Sequence, residues 1–166
     1  MNFKTISVNE LLENVFNLIG KEWMLISAGS SNKFNTMTAS WGGLGFIWNK
    51  PVSMCVVRPS RYTYEFMEKS DIYSLSFFGD ECREGLNLCG KKSGRDCDKV
   101  KEAGFSPLWK GNSVYYGEAR LVLICKKLYY NDLDPKHFLD PAIEGSYNGS
   151  DYHRAYIGEI LECLVK

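Results

Sequence analysis

Apolar positions along the first third of the chain fall at two different periods. Ser7-x-x-Glu10 has the form of a helix-capping box, and Val8, Leu11, Leu12, Val15, Leu18 and Ile19 then fall on one helical face before Gly20. One amphipathic opening helix is predicted. From Trp23 the period shortens to two in the runs WMLISAGS, FNTMTASWGGLGFIW and PVSMCVV, which Asn, Gly and Pro punctuate as turns. A meander of antiparallel strands is expected there. Helical spacing returns over 62–69 and 81–91, on either side of a strand-like stretch 72–78, and a third helix is predicted over 96–103. After Pro107 the chain reads as β again, with a long run over 114–130 and a last strand over 156–165. Strands outnumber helices and do not alternate with them, which argues against a parallel βαβ sheet. The pattern predicts a mainly β fold, an antiparallel barrel with peripheral helices. No internal repeat, low-complexity tract or linker divides the 166 residues, so a single domain spanning 1–166 is expected.

Composition narrows the chemistry. Twenty Lys plus Arg balance twenty Asp plus Glu, so the formal charge is zero and the footprint of a dedicated nucleic-acid or anionic-membrane binder is missing. Any anion must be held locally. No stretch approaches the roughly 18 apolar residues of a membrane span, and the N-terminus lacks an apolar core with a small-residue cleavage site. A cytoplasmic protein is expected. Six cysteines without a CxxC pair, and only two histidines, give no zinc-site spacing and no expected metal. Cys82, Cys89 and Cys97 lie close in sequence, but their spacing matches neither ferredoxin pattern, and reduced thiols are the simpler reading. Asn148-Gly149-Ser150 has the form of a glycosylation sequon and reads more simply as a turn. GxSxG, HExxH, P-loop and GxGxxG motifs are all missing.

Two stretches stand out against this background. In Arg58-Pro59-Ser60-Arg61-Tyr62-Thr63, Pro59 drives the residue before it into extended backbone, after which Ser60 or Thr63 can cap a helix. Helix amides, hydroxyls and two guanidinium groups at one turn make a phosphate site; pairing of Arg58 and Arg61 with surface carboxylates is the equally simple alternative. In Asn35–Gly42, Thr36, Thr38 and Ser40 alternate with Met37, Ala39 and Trp41. That is the pattern of a half-buried strand, either merely amphipathic or offering hydroxyls to a polar ligand.

NTMTASWGG, PVSMCVVRPSRYT, SGRDCDK, GEARLVLIC and YHRAYIGEI, in this order, resemble the flavin reductase-like family of FMN-binding split barrels, in particular its flavoredoxin-type members. The resemblance is collinear from about Trp23 to the C-terminus. It implies a six-stranded antiparallel split barrel, a non-covalent FMN and a homodimer whose interface lies near the flavin. By position it implies that Thr36, Met37, Thr38, Ala39 and Ser40 face the isoalloxazine and ribityl chain. Arg58, Ser60, Arg61 and Thr63 would form the phosphate-binding turn, and Lys92, Ser93 and Gly94 a loop approaching the cofactor. His153 matches the histidine before the final strand, a candidate catalytic residue that would position a nicotinamide or stabilise reduced flavin. The family's Gly-Asp-His reads Asp151-Tyr152-His153 here, which moves the carboxylate from its usual place, and Arg154 beside it reads as a solvated charge. Cys125 falls in an apolar strand and reads as a packing residue. Trp48, Trp109 and Tyr129 are candidates for an interface core. Three functions follow as expectations: an NAD(P)H-dependent flavin reductase, a flavoredoxin-type electron carrier reduced by a redox protein, or a ligand-binding barrel without redox function. The intact RPSRYT turn argues against the last.

Overall fold

A computed structural model describes residues 2–166. Its opening segment departs from the predicted helix. After a short strand β1 (Lys4–Ile6), Ser7 and Glu10 do form the capping box, but around a single 3₁₀ turn, Val8–Glu10. Asn14 then caps a second start, accepting from the Phe16 and Asn17 amides at 3.1 and 3.2 Å. The chain runs on through α1 (Val15–Asn17) into a π-type turn, Leu18–Glu22. Two capping side chains seven residues apart each pull the backbone out of helical geometry, so the apolar stripe is cut in two. Leu18 and Ile19 are buried, whereas Leu12 and Phe16 are 96% and 88% exposed.

The remaining elements follow the predicted pattern with finer breaks. They are β2 (Met24–Ser30), β3 (Lys33–Ala39), β4 (Gly42–Ile47), β5 (Lys50–Val57), α2 (Tyr62–Lys69), β6 (Ile72–Phe77) and α3 (Arg83–Lys91). Then come α4 (Lys99–Glu102), β7 (Pro107–Lys110), β8 (Ser113–Tyr116), β9 (Leu121–Asp132) and β10 (Arg154–Val165). The third predicted helix shrinks to α4 because Asp98 caps it late, accepting from the Lys101 amide. The long run over 114–130 breaks between Tyr116 and Leu121 into β8 and β9. α2 buries Thr63, Phe66 and Met67, one face at helical spacing.

All strand pairs are antiparallel, in the order β3-β2-β6-β9-β10-β5-β4, with β1 added to β10 and β7–β8 as a separate hairpin. The mainly β antiparallel expectation therefore holds, and the sheet carries eight strands where the resemblance implied six. Connectivity shows that this sheet is rolled. β3 and β4 lie at opposite ends of the path, yet only Ser40 and Trp41 separate them in the chain. Three peptide steps reach at most about 11 Å. A flat seven-strand path would hold its edges roughly 29 Å apart. The sheet must therefore curl until its two edges meet between Ala39 and Gly42, forming a seam. Gly42 enters β4 at φ +150°, and a Cβ there would lie 2.4 Å from the Met54 carbonyl oxygen, so the seam requires glycine.

Both faces of the central strands are covered. Met24, Ile26, Leu75, Leu123 and Tyr156 fill the barrel interior. Leu25, Phe78, Leu86, Tyr116 and Val122 pack outside it, beneath α3 and the β7–β8 hairpin. Double coverage explains why β2 reads as an almost continuous apolar run. Trp109 packs edge-on against Phe34 at 5.3 Å and is half-buried. Among the described residues, no helix is long and apolar enough to cross a membrane.

Candidate functional site

The seam brings together the end of β3, the end of β5, the start of α2 and the start of β10. A cleft of about 200 Å³ opens there, lined by Met37, Thr38, Ala39, Ser40, Arg58, Arg61 and His153, with Trp41 and Val56 added. Pro59 and the extended backbone at Arg61, the residue before the first turn of α2, place both guanidinium groups at one corner. Arg61 donates to the Gly90 carbonyl oxygen at the end of α3 at 2.9 Å. Arg58 donates to the Ser146 carbonyl oxygen at 2.6 Å and lies 5.0 Å from the centre of the Tyr147 ring. Burial and the neighbouring Arg58 charge hold Arg61 below the usual guanidinium range, and Asp151 only partly offsets them. Two cations thus share one carboxylate, Asp151, whose Oδ2 lies 3.9 Å from Arg58 Nη1. The corner keeps an excess of positive charge suited to an anion.

His153, which precedes Arg154 in the β10–β5 register opposite Val57, lines the cleft on the Arg58 side. It is 8% exposed, its Nδ1 lies 2.9 Å from the Tyr147 hydroxyl, and its ring sits 5.1 Å from that of Trp41. Burial first, then the Arg58 charge, push its pKa down to about 4, against the pull of Asp151. The imidazole is neutral near pH 7. It can donate one N–H but cannot supply a full positive charge to a reduced, anionic ligand.

Several predicted site residues are used otherwise. Thr36 is fully buried, its Oγ1 bonded to Ser27 Oγ at 2.8 Å, and it does not line the cleft. Thr38 donates its hydroxyl to the Leu86 carbonyl oxygen at 2.6 Å, so it lines the cleft with its hydroxyl committed elsewhere. Thr63, also fully buried, accepts from Asn35 Nδ2 at 2.8 Å and neither caps α2 nor faces an anion. Ser60 does not cap α2 either. Its amide and hydroxyl donate to Asp151 at 2.9 and 2.6 Å. Lys92 pairs with Glu102, and Ser93 accepts from the Arg95 amide. Gly94 packs so closely on β3 that a Cβ would lie 2.1 Å from Asn35 Oδ1, and it lines a second groove with Tyr62 and Lys99. The 92–94 loop therefore flanks the cleft without lining it.

Arg154, read as a solvated charge, instead pairs with Asp132 and Glu68 between the rings of Tyr64 and Tyr130. Cys125 is buried as expected, its thiol pushed up to about 12 by desolvation. Trp41 and Tyr147 are site residues that the sequence reading did not assign. Trp41 stood inside the NTMTASWGG motif and was signalled there. Tyr147 reaches His153 from a 3₁₀ segment, Pro141–Ser146, whose contacts have no local signature.

The rolled antiparallel sheet, closed at its β3–β4 seam, has the architecture of a split barrel. The match is direct: residues 16–165 fit the model of the flavin reductase like domain, and the chain belongs to that family. Among solved structures it is similar to an FMN-binding domain of a flavin reductases-like enzyme from Shewanella baltica, at 17% identity and TM-score 0.71, covering 99% of this chain and 77% of that one. It is also similar to flavoredoxin from Methanosarcina acetivorans, at 19% identity and TM-score 0.70, covering 98% and 76%. A third is an NADH:FAD oxidoreductase from Streptomyces globisporus, at 12% identity and TM-score 0.66, covering 87% and 75%. No curated protein matches the sequence.

Proposed function

We propose that the chain binds FMN non-covalently at the seam cleft and acts as an NAD(P)H-dependent oxidoreductase. The observation that carries this reading is the pair Arg58 and Arg61 sharing one carboxylate beside the apolar Met37, Ala39 and Val56. Cations with excess charge fit a phosphate, and the apolar wall fits a planar ring, so the residues present suit the group. When bound, FMN supplies a ring that accepts hydride from a nicotinamide and passes electrons onward. The protein's own part is limited. Arg58 and Arg61 hold the phosphate, and Met37, Ala39 and Val56 exclude water from one side of the cleft. His153 Nδ1 and the Tyr147 hydroxyl share a hydrogen bond of 2.9 Å, which fixes the neutral imidazole in the cleft wall. Trp41 is 47% exposed and leaves the mouth accessible.

The flavoredoxin-type carrier is the second reading, favoured by the exposed Trp41 at this mouth, which suits a protein donor. Anaerobic stopped-flow reduction separates the two. Bleaching of bound flavin by NADH or NADPH supports the reductase, whereas reduction by dithionite alone supports the carrier. Failure of the purified protein to bind FMN would overturn both.

A second copy of this chain is the partner we propose for the outer face of β4, β5, β10 and β9. Register places Gly43, Met54, Ile157 and Tyr129 in one row across these strands. Met54 and Tyr129 are exposed, as is Trp48, whose ring lies 6.2 Å from that of Tyr129. Trp48 sits in the two-residue β4–β5 turn at φ +53°, left-handed geometry that the tight hairpin requires and that costs a bulky residue about 1–2 kcal/mol. A cytoplasmic location is consistent with six free thiols.

A further inference from the structure

Asp151 stands where an incoming phosphate would be held. Its carboxylate takes the Ser60 amide at 2.9 Å and the Ser60 hydroxyl at 2.6 Å, and Oδ2 faces Arg58 Nη1 at 3.9 Å. These are the donors that an anion in the RPSRYT turn would use. The residue is carried there by left-handed backbone. Asp151 itself has φ +56°, and Asn148 and Gly149 have φ +53° and +79°. Asn, Gly and Asp are the residues that take left-handed geometry most readily, so the local sequence of the 148–151 segment permits the bend that carries Asp151 to the turn. The segment is anchored on its other side by Tyr152 and the Gly149 amide, both donating to Glu144.

We propose that Asp151 is a built-in competitor for the phosphate seat, so that flavin exchanges at this site instead of remaining permanently held. This rests on the flavin reading above. A phosphate engaging Ser60 and Arg58 must displace the carboxylate, because two anions cannot share the same amide and hydroxyl donors. Ligand affinity is therefore lowered by the carboxylate that is already seated. The effect is selective: a flavin without a phosphate has no reason to displace Asp151 and should not sense it. The chain would then handle FMN as a substrate that arrives and leaves.

The test measures FMN and riboflavin affinities of the full chain and of Asp151→Asn and Asp151→Ala by quenching of flavin fluorescence, with inorganic phosphate as a competing probe. Both variants should bind FMN about tenfold more tightly, leave riboflavin within twofold, and lower the inhibition constant of inorganic phosphate against FMN by about the same factor as the FMN dissociation constant. Circular dichroism melts confirm that the variants fold. FMN affinity that is unchanged or weaker in Asp151→Asn overturns the competitor role while leaving flavin binding intact. Absence of FMN binding in the wild-type chain overturns the flavin reading itself, and this inference with it.

Discussion

Arg61→Ala separates an anion ligand from a structural arginine. In the folded chain the Arg61 side chain donates to the Gly90 carbonyl oxygen and sits close enough to Arg58 for the two charges to repel. Loss of the hydrogen bond costs about 1 kcal/mol, and relief of the repulsion offsets part of that. For a protein of this size the melting temperature should fall by less than about 4 °C. Binding should respond much more. A charge-assisted contact to a phosphate contributes about 1.5–3 kcal/mol, which converts to roughly 10- to 150-fold weaker FMN binding. Riboflavin lacks the phosphate and should change by no more than about twofold. Titrating both flavins into wild type and variant, followed by fluorescence and accompanied by a thermal melt, provides the comparison. Equal losses for FMN and riboflavin, or a melting temperature lowered by well over 4 °C, would show that Arg61 supports the fold and that the phosphate lies elsewhere.

Thr63→Val should behave in the opposite way. It strands the buried Asn35 amide, at a cost of about 1–3 kcal/mol, and should lower the melting temperature while leaving the ratio of FMN to riboflavin affinity unchanged. His153 should impose a pH dependence on stability. Its folded pKa of about 4 lies below the ordinary 6.5, so the unfolded chain takes up the proton first and stability falls as pH drops from about 6.5 toward 4. Denaturation midpoints of His153→Gln should be flatter across that window, and parallel profiles would count against a buried neutral imidazole. Trp48→Gly removes an aromatic from the proposed dimer face while relaxing a left-handed turn. Sedimentation should shift toward monomer with no loss of thermal stability, and a wild-type chain that is monomeric at all working concentrations would sink the dimer.

The anion corner was legible because it is local. Pro59 and the spacing of Arg58 and Arg61 bring two guanidinium groups to one helix start without help from distant chain. Its counter-ion was not legible, since Asp151 reaches Ser60 across 91 residues. The polar face of β3 misled for a related reason. Alternation establishes that Thr36 and Thr38 share a face, but not whether that face looks toward ligand or protein. Covering by α3 and the β7–β8 hairpin turns both hydroxyls inward, to Leu86 and to the Ser27–Tyr116 cluster. The opening helix failed where a second cap, Asn14, competed with the first; propensity and periodicity weigh neither against the other.

The inward hydroxyls change how the cleft must recognise a ligand. An edge strand such as β3 presents unpaired backbone groups, which other proteins cover or charge to prevent unwanted pairing. Here the roll of the sheet leaves that edge facing the seam, where β4 begins but does not pair with it. Thr36 and Thr38 fasten β3 to the layer behind, so its exposed backbone is held rigid while Met37 and Ala39 supply a flat apolar surface. Polarity toward a ligand then comes from peptide groups and from two arginines, with a neutral imidazole beside Arg58. Such a cleft discriminates by the position of a ligand's charge relative to its flat apolar body. That is why exchanging a phosphate for a hydroxyl on the same flavin is the sharpest probe of it.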